Sequence, residues 1–393
     1  GQKADAADCV EAAQDLVPLM VEHAAEADRT RTVHPEVVSA LEDSGLFGVI
    51  TPNDLGGMGH GIAELGAVTR VMAQGCCASA WTMSFLMLHN WFLTRFPSQT
   101  RAELFEEHPW CHTAAPLAPT GKATRTDRGW VIDGRWEWAT GVNHASHVLV
   151  HALDEHTPPP EGAPFSTRFA LIPVDELEVQ DVWFTSGMRA TGSNAVVAEG
   201  VEVPDDFTVS GHTMLYGNGS EASSPLDRLP LMATLALVAS APALGAAEAV
   251  VDQFGARMRE RVLAYTLGSR QADQPAARIR LSAALAEVRA ARALWEGALE
   301  SLTVASESAV GATLGDRAAA RLAAAQTVRM SRAAISTVAE ASGASVYAES
   351  SPFQRLQRDV EVLKGHVVFD WDRSAELVGR VELGMELGPT DLI

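Results

Sequence analysis

The chain has 393 residues, enough to bury a large core, and 30 Lys and Arg against 50 Asp and Glu give it a formal net charge of −20. Such an acidic chain repels phosphate backbones and anionic membrane surfaces, which excludes nucleic acid and membranes as partners. We expect a cytoplasmic protein, because the N-terminus lacks the pattern of a secretory signal and no run of about 20 strictly apolar residues is present.

The first third of the chain has the pattern of helices. It extends from about residue 6 to residue 107 and is broken at 51–59, where three glycines and a proline favour a loop. Residues 62–90 then predict one nearly unbroken apolar helix. We therefore expect an N-terminal helical domain over residues 1–109.

The middle of the chain has the pattern of strands. From Trp110 to about Ser210, short runs of Val, Ile, Trp and Thr alternate with turn signals such as Asp-Gly and Pro-Pro-Pro. This pattern predicts a β domain over residues 110–212, inserted between helical ones.

The last part, residues 213–393, is rich in alanine and again helical in pattern. Apolar residues recur there at three- and four-residue spacing, which predicts a stripe along one long helix. The stripe consists of Leu281, Leu285, Val288, Ala291, Trp295, Leu299 and Leu302. Helices striped in this way pack together within a subunit and are also candidates for subunit contact.

Four short segments of the chain carry motifs that identify a fold when they occur in this order. The first is 40–59, which ends in Gly-Gly-Met-Gly, and the second is 129–141, which ends in Trp-Ala-Thr-Gly. The third, 187–204, begins with Gly-Met-Arg-Ala-Thr-Gly-Ser-Asn, and the fourth is Arg-Leu-Gln-Arg-Asp at 355–359. Together, these segments resemble those of the acyl-CoA dehydrogenase family. The resemblance implies an α+β multi-domain fold: an N-terminal helical domain, a central β-barrel or sandwich, and a C-terminal four-helix bundle, with flavin between the domains.

One position departs from the acyl-CoA dehydrogenases. Their glutamate base aligns with Val367, and valine cannot accept a proton. The preceding residue is His366, and a histidine here, together with the motif at 187–194 and Leu-His-Asn-Trp at 88–91, resembles the flavin-dependent monooxygenases of this fold. That group includes the oxygenase component that acts on p-hydroxyphenylacetate. Some dehydrogenases place their base on another helix, so a dehydrogenase with a relocated base stays open as an alternative.

The monooxygenase resemblance implies the oxygenase component of a two-component system. Such an enzyme takes reduced FMN or FAD from a separate NAD(P)H:flavin reductase and uses O2, through a flavin C4a-hydroperoxide, to hydroxylate an aromatic, phenolic or polycyclic small molecule. A homotetramer is also implied. The alternatives are oxygenation of nitrogen or sulfur by the same chemistry and, outside enzymology, a flavin-binding or scaffold subunit.

Two histidines are the candidate catalytic residues. A near-neutral pKa would let His366 accept the proton of a phenol, or else protonate or hold the peroxide; the alternative is an ordinary helix histidine. His89 follows the apolar run 81–88, which should lower its pKa and leave a neutral imidazole. A structural role for His89 is equally open.

Seven residues are candidates for binding the flavin. By the resemblance, Trp138 and Thr140 match a tryptophan that lies against the flavin ring and a hydroxyl residue near its N5, although Trp138 also suits a strand core. Cations, amide donors and small residues suit a phosphate and the close approach of backbone. The set is Trp138, Thr140, Thr113, Arg261, Gln274, Ser342 and Gly343.

No metal site is expected. His144 and His147 lie beside the Trp-Ala-Thr-Gly motif without a third ligand at suitable spacing, so we interpret them as loop residues. The four cysteines, at positions 9, 76, 77 and 111, are too scattered for a disulfide framework or a zinc site, and we expect reduced thiols.

Overall fold

Helices occupy both ends of the chain and strands its middle, in a computed structural model that describes residues 6–160, 163–217, 225–264, 267–308, 310–388, 391 and 393. The helices are α1 (Ala6–Thr30), α2 (Pro35–Ser44), α3 (Ile62–Ala73), α4 (Cys77–Leu93), α5 (Ser98–Leu104), α6 (Gly211–Tyr216), α7 (Leu231–Glu260), α8 (Pro275–Glu307), α9 (Leu314–Ser342), α10 (Pro352–Leu363) and α11 (Trp371–Glu382). The strands are β1 (Thr113–Ala114), β2 (Gly121–Thr126), β3 (Gly129–Ala139), β4 (His147–Asp154), β5 (Ser166–Pro173), β6 (Glu178–Gln180), β7 (Asn194–Val203) and β8 (Thr208–Ser210).

Local signals set the ends of the N-terminal helices. His34 caps the start of α2 with its ring, and Gly45 ends that helix with a φ of 73°. The sequence predicted one helix over the apolar run at 62–90. This prediction is wrong, because the run forms two helices, α3 and α4, with Gly75 between them. A Cβ atom on Gly75 would lie 2.8 Å from Cβ of Met20, so the close crossing of α1 requires a glycine there.

The eight strands form one sheet in the order β6-β7-β3-β2-β4-β5-β8, with β1 beside β4. Most neighbours are antiparallel, but β4 is parallel to both β1 and β2. One face of the strands buries a cluster of apolar side chains that includes Ile132, Trp136, Val150 and Val196. The sheet therefore has a core of its own, separate from that of the helices.

The C-terminal helices pack through the stripe that the sequence predicted. Val288, Trp295 and Leu302 of α8 are buried, which confirms that face of the helix. Trp295 donates from its indole nitrogen to the carbonyl oxygen of Leu237 on α7 at 2.9 Å. Its ring also contacts α3, where a Cβ on Gly66 would lie 2.8 Å from it. The stripe therefore joins the C-terminal helices to the N-terminal ones.

Helix α7 is long and apolar enough to cross a membrane by length and composition, which the sequence expectation did not anticipate. The mean hydropathy of its most apolar window is 1.6, and 94% of that window is buried inside the protein. A buried core helix has the same composition, so one such helix is weak evidence for a membrane span.

Helix α10 joins the helices to the sheet. Asp359, only 1% exposed, accepts a hydrogen bond from the amide of Met188 at 2.6 Å. Gly187 has no room for a side chain, because a Cβ there would lie 2.1 Å from the carbonyl oxygen of Arg358. Two of the motifs that carry the family resemblance therefore meet at this junction.

Candidate active site

A cavity of about 990 Å³ lies between the sheet and the helices. Four residues that the sequence singled out line it together: His89, His366, Trp138 and Thr140. The volume is within the range of cofactor and small-molecule pockets. The structure therefore brings the two candidate catalytic residues and two of the candidate flavin residues to one place.

One face of α4 supplies the aromatic part of the cavity wall. Trp81, Phe85 and His89 follow one another at four-residue spacing, so their side chains lie on the same side of the helix. Their ring centroids are 4.8 and 5.5 Å apart. His366 meets Trp81 edge to face at 5.6 Å. The two histidines therefore lie at opposite ends of one aromatic row.

His89 is oriented by a single backbone contact. Its Nδ1 lies 2.6 Å from the carbonyl oxygen of Thr113, and since a carbonyl only accepts, Nδ1 carries the proton. Burial lowers the pKa of His89 to about 4, and this hydrogen bond raises it by less. At neutral pH the ring is therefore neutral, as the sequence predicted, and its Nε2 lone pair is left for the cavity.

His366 has the opposite arrangement. Its Nδ1 accepts a hydrogen bond of 3.4 Å from the amide of Val368, which leaves the proton on Nε2. Burial, and after it the charge of Arg321, lowers the pKa of His366 to about 4. The near-neutral pKa expected from the sequence is therefore wrong. The neutral ring of His366 therefore offers Nε2–H as a hydrogen-bond donor, whereas the neutral ring of His89 offers the Nε2 lone pair as an acceptor.

Trp138 is not part of a strand core. Its side chain is 65% exposed at the cavity, and its φ of 63° lies in the left-handed region that non-glycine residues avoid. It lies at the end of β3, where the pairing with β7 shifts register between Trp136 and Ala139. An uncovered aromatic ring held in an unfavourable conformation is typical of a ligand-binding position.

Thr140 begins a chain of three hydroxyl groups. Its Oγ1 lies 2.8 Å from Oγ of Ser193, which lies 2.8 Å from Oγ1 of Thr191. Thr191 in turn donates to the carbonyl oxygen of Met188 at 2.9 Å. The sequence analysis missed Ser193 and Thr191 as functional candidates, although both lie in the motif at 187–194; two hydroxyl residues two positions apart were the available signal.

A second group of candidate flavin residues does not line this cavity. Nη1 of Arg261 donates to the carbonyl oxygen of Ser342 at 2.5 Å, and Nη2 of Arg261 lies 3.1 Å from where a Cβ on Gly343 would be. Ser342 lines a smaller cavity of about 370 Å³, together with Arg257. Gln274 is half-buried at the start of α8. The candidates for the flavin therefore fall into two separate places.

Thr113 makes contacts of a different kind from those expected. Its hydroxyl is buried and donates to the carbonyl oxygen of Cys111 at 3.2 Å, and Thr113 is not part of the wall of the larger cavity. Its own carbonyl oxygen holds His89. A direct contact between Thr113 and flavin stays a prediction, whereas its contact with His89 belongs to the site.

Several side chains with metal-ligand chemistry make other contacts in the described part of the chain. His144 and His147 each place a ring nitrogen 3.0 Å from a protein hydroxyl group. Ligand atoms of His23, Glu26 and His34 lie within 4.8 Å of one another, a cluster that the sequence did not suggest. Nδ1 of His34 accepts a backbone hydrogen bond, so its Nε2 carries the proton and is unsuited to a metal. All four cysteines are buried free thiols.

Comparisons with known proteins cover nearly the whole chain. Residues 4–103 match the family model of the acyl-CoA dehydrogenase N-terminal domain, and residues 237–371 match that of the C-terminal domain. The chain is 30% identical over 397 residues to a flavin-dependent monooxygenase, oxygenase subunit HsaA, of Mycobacterium tuberculosis, which covers 99% of this chain and 98% of that protein. It is 27% identical over 387 residues to the oxygenase component of p-hydroxyphenylacetate 3-hydroxylase from Acinetobacter baumannii, with 97% and 90% covered.

A solved structure shares the architecture. XiaF from Streptomyces sp., in complex with FADH2 and glycerol, superimposes with a TM-score of 0.90 at 27% identity. The match covers 97% of this chain and 96% of that one, so it includes both helical parts and the sheet. The cavity therefore lies in a fold that this chain shares with flavin-binding relatives along nearly its full length.

Proposed function

Because the chain belongs to the acyl-CoA dehydrogenase family, and within it to the oxygenase components of flavin-dependent monooxygenases, we propose that it hydroxylates a phenolic small molecule with reduced flavin and O2. The observation that carries the proposal is that Trp138, Thr140, His89 and His366 line one cavity. A ring platform, a hydroxyl and two neutral imidazoles of opposite hydrogen-bonding sense are the groups such a reaction needs.

The cavity residues fit a flavin ring. Trp138 offers an uncovered aromatic face, and Thr140 offers a hydroxyl two residues further along the chain. We assign the first to the face of the flavin ring and the second to its N5 edge. Bound reduced flavin supplies the electrons that activate O2. The protein holds the ring, keeps water away and places the substrate.

We assign different roles to the two histidines. The Nε2 lone pair of His89 accepts a hydrogen bond from the phenolic hydroxyl, which makes the substrate ring richer in electrons. The Nε2–H group of His366 donates to the oxygen that is transferred and orients it. Burial holds both pKa values at about 4, so both imidazoles act by hydrogen bonding instead of carrying a positive charge.

The preference for an aromatic substrate is supported by the wall itself. Trp81 and Phe85 present rings between the two histidines, and Met232 and Leu235 of α7 add apolar surface. Rings of a substrate pack well against such side chains in edge-to-face or offset arrangements. A planar substrate with one hydroxyl directed at His89 therefore fits better than a flexible polar one.

The geometry disfavours acyl-CoA dehydrogenation by a relocated base. That reaction needs a carboxylate at the cavity, and those on its described wall are Glu137, Asp154 and Asp391. Each of the three is held in an ion pair with an arginine, so none of them presents a free carboxylate to a substrate. Val367, at the position of the dehydrogenase glutamate, also lines the cavity.

For the flavin nucleotide we propose FAD, in a homotetramer. Burial, and after it the charge of Arg261, lowers the pKa of Arg257. Two cations therefore lie close together beside the smaller cavity. Paired cations favour a phosphate. We assign this place, with Ser342 and Gly343, to the nucleotide part of a flavin whose ring lies in a neighbouring copy. FMN would leave it empty.

A separate NAD(P)H:flavin reductase and a cytoplasmic location complete the proposal. The sequence contains no Gly-x-Gly-x-x-Gly motif at the start of a helix, the usual mark of a nicotinamide site. Reduced flavin would then reach the chain from a partner enzyme. Oxygenation at sulfur or nitrogen would use the same residues, without need for the acceptor on His89.

The test is oxygen uptake by the purified chain with chemically reduced FMN and FAD, across a panel of phenols, thioethers and amines. We expect one added oxygen atom on a phenol, detected by product mass, and none with oxidised flavin, which serves as the control. Oxygenation confined to thioethers or amines would transfer the proposal to sulfur or nitrogen. Bleaching of bound flavin by acyl-CoA without oxygenation would overturn it.

A further inference from the structure

The three hydroxyl groups behind Thr140 form a chain with one fixed end. That end is the carbonyl oxygen of Met188, which can only accept the bond from Thr191. Ser193 and Thr191 are 4% and 2% exposed, so water cannot replace a missing partner in the chain. The other end, Thr140, lines the cavity.

Counting protons sets the direction of every bond in the chain. Each hydroxyl has one hydrogen to donate. Thr191 uses its hydrogen on Met188, so the bond between Thr191 and Ser193 must come from Ser193. Ser193 has then used its hydrogen, and the bond to Thr140 must come from Thr140. Only lone pairs of Thr140 are left for the cavity.

We infer that Ser193 and Thr191 are positioning residues that hold Thr140 as a hydrogen-bond acceptor, and that the site thereby discriminates in favour of reduced flavin. Reduced flavin carries a hydrogen on N5 and donates to an acceptor. Oxidised flavin has only a lone pair on N5 and needs a donor. The inference rests on the proposed function, which puts N5 beside Thr140.

Oxidised flavin can be accommodated only if the chain reverses. Ser193 must then donate to Thr140, and Thr191 must donate to Ser193. The bond from Thr191 to the carbonyl oxygen of Met188 is lost. That oxygen keeps the indole nitrogen of Trp183 as a donor at 2.9 Å, so the reversal costs one neutral hydrogen bond and isolates no buried group. One such bond corresponds to about five-fold in affinity.

The turn that carries this chain is rigid. Asp359 binds the amide of Met188, whose φ is 51°. Gly192 has a φ of 48°, and a Cβ there would lie 2.6 Å from Nδ2 of Asn143. Because the turn cannot easily move the carbonyl oxygen away, the fold favours this direction of the chain before any ligand binds.

The test measures the dissociation constants of oxidised and chemically reduced FAD, under anaerobic conditions, for the wild type and two variants. Ser193→Ala and Thr191→Val each free Thr140 to donate. We expect the preference for reduced FAD, taken as the ratio of the two constants, to fall about five-fold in both. The midpoint potential of bound flavin should fall by about 20 mV, at 29.6 mV per tenfold for two electrons.

Two controls separate this effect from damage to the fold. Thr191→Ser keeps the hydroxyl and should keep the wild-type ratio. Thr69→Val removes a buried hydroxyl of α3, which donates to Leu65 at 2.8 Å, and should also keep the ratio. An unchanged ratio in Ser193→Ala and Thr191→Val, with tight binding of reduced FAD, would overturn the inference alone. Failure of the wild type to bind reduced FAD or FMN would overturn the proposed function with it.

Discussion

Nδ1 of His89 and the carbonyl oxygen of Thr113 lie 2.6 Å apart, so helix α4 and strand β1 fix one imidazole between them. This contact determines which ring nitrogen the substrate meets. A flipped ring would lose the bond, because it would place the ring carbon Cδ2 opposite the buried carbonyl oxygen in place of an N–H donor. The scaffold therefore presents Nε2 of His89 as an acceptor before any substrate arrives.

Replacing His89 with alanine should lower hydroxylation about 100-fold, the lower end of the range for a positioned acid–base group. Affinity for reduced flavin should change little, because we assign His89 to the phenolic hydroxyl of the substrate and Trp138 and Thr140 to the flavin ring. The measurement is product formed per O2 consumed, with flavin affinity determined separately. His108→Ala, at an exposed surface position, is the matched control. If His89→Ala formed as much product per O2 consumed as the wild type, which we call wild-type coupling, the assigned role would be contradicted.

His366 should tolerate glutamine better than alanine. The Nε2 atom of glutamine retains an N–H donor, which is the feature we assign to His366, whereas alanine removes it. We expect His366→Ala to release most of the consumed O2 as hydrogen peroxide and His366→Gln to restore much of the coupling. Equal loss in the two variants would mean that the imidazole acts as a base and not as a donor.

The fold could be predicted from the sequence because its signals are local. Glycine-rich loops, alternating strands and the stripe on α8 depend on neighbouring residues, and all three are present in the structure. The break at Gly75 could not be predicted, because it depends on the distant α1 crossing at Met20. Local hydrophobicity records that a segment is buried and does not record what packs against it.

The site could be predicted only in part for the same reason. His89, His366, Trp138 and Thr140 were found through motifs, yet their hydrogen-bonding sense depends on groups far along the chain, such as Thr113. The pKa of His366 was misjudged, because its burial comes from tertiary packing and not from its neighbours in sequence. The chain of three hydroxyl groups could be recognised only from the distances between their oxygen atoms in the structure.

Replacing Trp138 with glycine should weaken flavin binding without destabilising the protein. Glycine relieves the left-handed conformation, worth about 1 kcal/mol, and a side chain that is 65% exposed contributes little packing. The free energy of unfolding from denaturant titration should stay level or rise. Trp136→Gly is the contrasting control: loss of its fully buried ring should lower the free energy of unfolding by at least about 3 kcal/mol. A comparable loss in both variants would place Trp138 in the core after all.

The junction between α10 and the sheet gives the protein a pH dependence of stability. Burial raises the pKa of Asp359 from its ordinary value of 3.8 to about 7, even though its bond from the amide of Met188 opposes that shift. Between these two values the folded protein binds a proton at Asp359 that the unfolded chain has released. Stability is therefore lost as the pH rises through this window, and the loss levels off above about 7.

Asparagine at position 359 should remove that dependence, because its side-chain oxygen still accepts from Met188 and it has no proton to lose. We expect the free energy of unfolding to fall less steeply from pH 4.5 to pH 7 in Asp359→Asn than in the wild type, within the window between 3.8 and about 7. Asp127→Asn, at an exposed turn, should leave the wild-type slope unchanged. Parallel slopes for Asp359→Asn and the wild type would show that Asp359 is ionised in the folded protein across the whole range, held by the neighbouring Arg355 and Arg358.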